Sequence, residues 1–128
     1  MLIQFKKWIT LLILLLLPVA TYAFDSFDCV GSDSSWKLSL TEKKFIFMQD
    51  NLSPINISSV QPKAAENMKM EHLRVYRTKM NEKNFVILIQ KQSCTDGESV
   101  DIFPYEGLII TNDKVFHGCC SKKLVLTK

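Results

Sequence analysis

Four cysteines and one nearby histidine are the residues of this 128-residue chain best equipped for chemistry. Cys94 opens the run Cys-Thr-Asp-Gly-Glu-Ser-Val-Asp-Ile-Phe-Pro-Tyr105, His117-Gly-Cys-Cys120 follows it, and Cys29 stands apart upstream. Thiolates beside an imidazole can ligate a soft metal, attack a carbonyl carbon or pair oxidatively. A closed tetrahedral site from Cys94, His117, Cys119 and Cys120 has the right count, but His-x-Cys-Cys is not a zinc spacing. A redox pair needs Cys-x-x-Cys ahead of a helix, and no such motif occurs. A Cys94–His117 nucleophile has the residue types without a local signature. Oxidative pairing is the reading that uses all four thiols.

Adjacent residues on a strand point to opposite faces, so Cys119 and Cys120 each need a separate partner. Of the two connectivities left, Cys94–Cys119 with Cys29–Cys120 is favoured. The first closes a loop of about 25 residues and the second ties down the start of the domain, each worth roughly 3–5 kcal/mol on a loop-entropy basis. The cysteines are therefore read as structural. The chain is expected not to be an enzyme, with no catalytic residues, no metal and no cofactor.

Disulfides imply an oxidising compartment, and residues 1–23 read as the means of reaching it. Lys6 and Lys7 precede an apolar run from Ile9 to Leu17, Pro18 breaks it, and Thr21-Tyr22-Ala23 offers a cleavage site. The run is shorter than the roughly 20 residues of a membrane span, so no stable span is expected after cleavage. Residues 24–128 then form one exported domain, periplasmic or secreted. The formal charge of +3 includes Lys6 and Lys7, leaving +1 on the mature part. That balance excludes a nucleic-acid footprint.

Period-two patterning must position the cysteines. Trp36, Leu38 and Leu40 alternate with polar residues, and a tight turn over 41–43 leads into Phe45–Met48. Residues 55–60 form a short strand, and 63–69 a loop. The strand over 72–79 carries Leu73 and Val75 on one face, with Arg74, Tyr76 and Thr78 on the other. Phe85 to Ile89 is apolar on both faces, which predicts a central strand. Asn112-Asp113 suits a type I′ hairpin between 107–111 and 114–119, and 122–128 can add a last strand. The expectation is an all-β domain of about seven or eight antiparallel strands, a small barrel or sandwich stapled by disulfides.

Three stretches resemble a family of small uncharacterised bacterial envelope proteins, usually labelled membrane proteins or lipoproteins. Gly31-Ser-Asp-Ser-Ser-Trp36 stands where the family has Gly-x-Glu-Pro-Phe-Trp. Cys94-Thr-Asp96-Gly97-Glu98-Ser99-Val100, followed by Phe103-Pro104-Tyr105, stands where it has Cys-x-Asp-Gly-Met-Ser-Asp and Tyr-Pro-Tyr, and Gly118-Cys119 matches a closing Gly-Cys. The resemblance implies a compact β-barrel-like domain in the cell envelope. Asp96, Gly97, Glu98, Ser99, Asp101 and Tyr105 form a candidate binding loop, read first as a turn and second as a surface for a cation or basic partner.

The functional expectation is a non-enzymatic exported binding module, taking an unknown small ligand or an envelope protein through an interior pocket or exposed loops. The alternative is an inhibitor of a lysozyme or envelope protease that presents the Cys94–Tyr105 loop.

Overall fold

The structure is a computed structural model and describes residues 24–97 and 100–124. The expected leader, residues 1–23, lies outside the described residues. Nine antiparallel strands form a single sheet: β1 (Phe27–Gly31), β2 (Trp36–Leu40), β3 (Phe45–Gln49), β4 (Ile55–Ile57), β5 (Lys63–Ala64), β6 (Leu73–Met80), β7 (Lys83–Thr95), β8 (Ile102–Ile110) and β9 (Val115–Lys122). Their spatial order is β4-β3-β2-β1-β9-β8-β7-β6-β5. Every neighbouring pair is consecutive in the chain except β1 and β9. The sheet curls into a half-barrel rather than a two-sheet sandwich. Near the β4 end, Ser58 donates its N–H to the Lys79 carbonyl at 3.3 Å and accepts from the Thr78 hydroxyl.

This corrects the expected strand count. β1 is not among the expected strands because Phe-Asp-Cys-Val-Gly sets Cys29 and Gly31 rather than aliphatic residues at its inward positions. β5, two residues long, is too short to show a period and occupies the start of the stretch expected as a loop. The last strand expected over 122–128 is instead the end of β9 at Lys122, and residues 125–128 lie outside the described residues.

Two hairpins close by one device. Thr41 donates its N–H to the Lys44 carbonyl at 3.1 Å, and Thr111 donates its own to Lys114 at 2.9 Å. Each threonine hydroxyl donates to the same carbonyl, at 2.8 and 3.4 Å. The type I′ turn expected at Asn112-Asp113 is not formed, since neither residue has positive φ. The threonine side chain closes a longer loop that needs no left-handed residue there.

The concave face is filled by aromatic rings. Phe27 meets Tyr105 edge-on at 5.1 Å, Phe45 meets Tyr76 at 5.6 Å, and Phe116 packs on Phe47 at 5.2 Å and Trp36 at 6.1 Å. Edge-to-face contacts of this kind add to the area they bury. Three of the chain's four glycines share one transverse row, Gly107 opposite Gly118 opposite Gly31. A Cβ at Gly118 would lie 2.2 Å from the Val30 carbonyl oxygen, and one at Gly107 would lie 2.6 Å from the Cys120 sulfur. The row is a trough into which Trp36 and a disulfide settle.

In β6 the inward face is the polar-looking one. Arg74, Tyr76 and Thr78 are buried, while Leu73 and Val75 face outward and are half-buried. Arg74 supplies the reason at one end: its guanidinium lies 4.9 Å over the Phe27 ring and pairs with Asp25 at 2.8 Å. At the other end, Thr78 satisfies the Ser58 carbonyl where the sheet margin lacks a paired strand.

Candidate functional site

Both disulfides form as favoured, Cys29–Cys120 and Cys94–Cys119, and no cysteine is free. Cys29 and Cys120 are direct partners across β1 and β9. Cys94 reaches Cys119 because β7 carries a bulge between Lys91 and Cys94, which bends its end toward β9. The thiols are thereby consumed, so the Cys–His metal site and the cysteine nucleophile have no ligand or nucleophile left to build on. Two disulfides fit an oxidising, extracytoplasmic setting. Among the described residues no helix is long and apolar enough to cross a membrane.

Of the expected binding loop, Asp96, Gly97 and Asp101 lie in the β7–β8 connection. Gly97 takes the left-handed backbone expected of it, with φ of 81°. Asp96 and Asp101 flank it, whereas Glu98 and Ser99 lie outside the described residues. Tyr105 is corrected out of the loop. It sits inside β8, 8% exposed, with its ring against Phe27. Beside the loop, Val100 and Ile102 are 99% and 70% exposed.

A different constellation lies on the outer face. The pairing registers put Lys63, Val75, Leu88, Leu108 and His117 in one row across β5, β6, β7, β8 and β9. Val86, Ile110 and Val115 form the next row. β7 lies inside the sheet between β8 and β6, and its two apolar faces have different fates. Phe85, Ile87 and Ile89 fill the core, while Val86 and Leu88 join an outward aliphatic face that no other layer covers among the described residues. One end of this face opens on a groove of about 530 Å³ lined by Lys63, Glu66, Val75 and Arg77.

At the other end stand Ser32, His117 and Glu106. His117 Nε2 lies 2.9 Å from Glu106 Oε1, and Ser32 Oγ lies 2.9 Å from His117 Nδ1. With Nε2–H donating to the carboxylate, Nδ1 is left to accept the serine hydroxyl, which also has the His117 carbonyl at 3.2 Å. The β1–β2 turn holds Ser32 in place. Ser34 N–H donates to the Gly31 carbonyl at 2.9 Å, Ser32 N–H donates to the His117 carbonyl at 3.2 Å, and Ser35 donates to Asp33 through both hydroxyl and N–H. Those two donors hold the Asp33 carboxyl below the usual carboxylate range. The His117 and Glu106 side chains are 47% and 27% exposed, so solvent reaches the group.

Sequence reasoning missed this group because its members lie 85 and 11 residues apart. The signal that could have found it was the strand register. Pairing β9 antiparallel to both β1 and β8 puts His117 beside Ser32 and diagonal to Glu106.

No protein-family model, curated protein or solved structure matches this chain.

Proposed function

We propose that the chain is an exported envelope protein, periplasmic or secreted, that binds a partner or ligand through the outer face of its half-barrel. The observation that carries the reading is the aliphatic face of Val75, Val86, Leu88, Leu108, Ile110 and Val115, set on a sheet whose concave side is already filled by its own rings. Ile110 and Val115 are exposed and the other four half-buried, and a contiguous apolar area that reaches solvent marks contact surfaces. Two disulfides, together with the apolar leader-like run, support export. Kinship with the small bacterial envelope proteins is part of the same proposal, resting on Gly31, Trp36, Cys94, Asp96, Gly97 and the Gly118-Cys119 pair.

A photo-cross-linking residue at Leu88 in the producing cell tests the contact surface, with Lys37 as control on the outer side of β2. Adducts are expected from position 88 and not from position 37. Equal yields from both, or none from 88, would remove the outer face from consideration.

A second reading, inhibition of a lysozyme or envelope protease, is favoured by one observation. Val100 protrudes fully from a segment that the Cys94–Cys119 bridge anchors at its base. Unchanged lysozyme turnover at micromolar excess of the protein would dispose of its simplest form.

A further inference from the structure

The geometry points to Ser32 as a nucleophile toward carboxylic esters. In this proposal His117 is its general base, Glu106 is a positioning residue, and the aliphatic row of Leu108, Leu88 and Val75 is the bed for the ester's acyl chain. The proposal rests on the outer-face reading only for the acyl chain. A serine hydroxyl is a weak nucleophile until an adjacent base takes its proton and a third group orients that base. Both hydrogen bonds are present at 2.9 Å. The carboxylate on Nε2 selects the tautomer whose lone pair on Nδ1 faces Ser32 Oγ. The turn closed by Ser34 and Asp33 keeps the hydroxyl at the surface, where an ester carbonyl can approach it.

The substrate class follows from what lies beyond His117, on the side away from Ser32. The row beginning at His117 continues through three aliphatic side chains to Lys63, about 19 Å at the usual strand spacing. That is a bed for an extended hydrocarbon chain. Oγ bonds to the ester carbonyl carbon as its proton passes to Nδ1. Collapse of the tetrahedral adduct breaks the carbon–oxygen bond of the alcohol, which leaves with that proton and gives acyl-Ser32. Water then attacks, Nδ1 takes its proton, and the acid departs as Oγ is reprotonated. The net change is ester plus water to acid plus alcohol. General-base assistance contributes typically ~10²–10⁴-fold, so turnover is expected to be slow but measurable.

The test uses the oxidised full-length mature protein, an alkyl fluorophosphonate probe, and p-nitrophenyl acetate and octanoate. An adduct on the peptide containing Ser32 is expected, formed roughly tenfold or more slowly in His117→Ala. Glu106→Gln should also slow labelling and Glu106→Asp restore it, whereas a merely structural carboxylate would leave the labelling rate unchanged. Octanoate should turn over faster than acetate, with the preference lost in Leu88→Asn and Leu108→Asn. No adduct on Ser32 in folded, oxidised wild-type protein overturns the proposal, as does undiminished hydrolysis by Ser32→Ala. An adduct without chain-length preference overturns the acyl bed, while cross-linking at position 88 reports separately on the outer face.

Discussion

Cys29 and Cys120 face each other across the one strand pair in the sheet that no hairpin joins. Their Cα atoms are 4.0 Å apart although 91 residues separate them in the chain. Every other pair in the meander is tied by a local connection, so β1–β9 carries the largest loop-closure cost. The covalent bond lies where the chain itself supplies least.

The two disulfides should therefore differ in worth. Cys29→Ala with Cys120→Ala is expected to cost about 4–5 kcal/mol, and Cys94→Ala with Cys119→Ala about 3–4 kcal/mol, on the loop-entropy scale. Urea denaturation of each double variant measures both. Amide exchange in the first variant should rise in β1 before other strands. Equal losses, or the reverse order, would show that chain closure is not what the first bond supplies.

Gly118→Ala should be among the most damaging single substitutions. The added methyl would meet the Val30 carbonyl at 2.2 Å and Trp36 at 2.8 Å, and neither backbone nor buried indole can retreat. The expected loss is at or above the ~1–3 kcal/mol of ordinary overpacking. Gly97→Ala is the informative contrast. Among the described residues nothing lies within 4 Å of the new methyl there, and the positive φ is what opposes it. Thermal midpoints should rank the two, with Gly118→Ala lower.

Arg74 tests how a buried cation is kept. Its side chain is 5% exposed and its carboxylate partner, Asp25, 44% exposed. Asp25→Asn should cost roughly 1–3 kcal/mol, below the ~3–5 kcal/mol of a pair buried on both sides. Restoring the loss by also making Arg74→Met would confirm that the penalty is the unpaired charge rather than the lost contact. Denaturant midpoints of the three variants decide this.

Tyr76 supplies an alkaline signature. Burial pushes its phenol well above the ordinary value of 10.0, and its hydroxyl is the one buried side-chain polar atom without a partner among the described residues. The folded state holds the proton where the unfolded chain releases it. Stability is thus fully present below pH 10 and falls above it, toward the higher folded value, by at most ~1.4 kcal/mol per pH unit. Tyr76→Phe removes that slope, and near neutrality it should be neutral or stabilising because no hydrogen bond is lost. Urea unfolding of both proteins between pH 8 and 11 checks the sign.

Much of the meander was legible locally. Trp36–Leu40, Phe45–Gln49 and the long β6–β7 hairpin announce themselves by alternation and turn residues, because those signals are carried by neighbours along the chain. The sulfur pairing was legible in part: adjacent cysteines on a strand do not bond to each other, which left two connectivities, and the register that sets Cys29 opposite Cys120 decided between them. The faces of β6 were not. Nothing in Leu-Arg-Val-Tyr-Arg-Thr says that Arg74 and Thr78 turn inward, because their partners, Asp25 and Ser58, are 49 and 20 residues distant. Tyr105 likewise looked like a loop residue beside Asp101 until strand register set it against Phe27.

The amino-acid order alone determined an all-β chain, its longer hairpins, and that Cys119 and Cys120 take separate partners. These depend on side-chain alternation and short-range geometry, which act before any long-range contact forms. Tertiary structure decided the closing pair β1–β9, the glycine trough beneath Trp36, the outward aliphatic face, and the meeting of Ser32, His117 and Glu106. Each of these requires β9 to lie between β1 and β8, and that placement is set by the curvature and packing of the whole sheet.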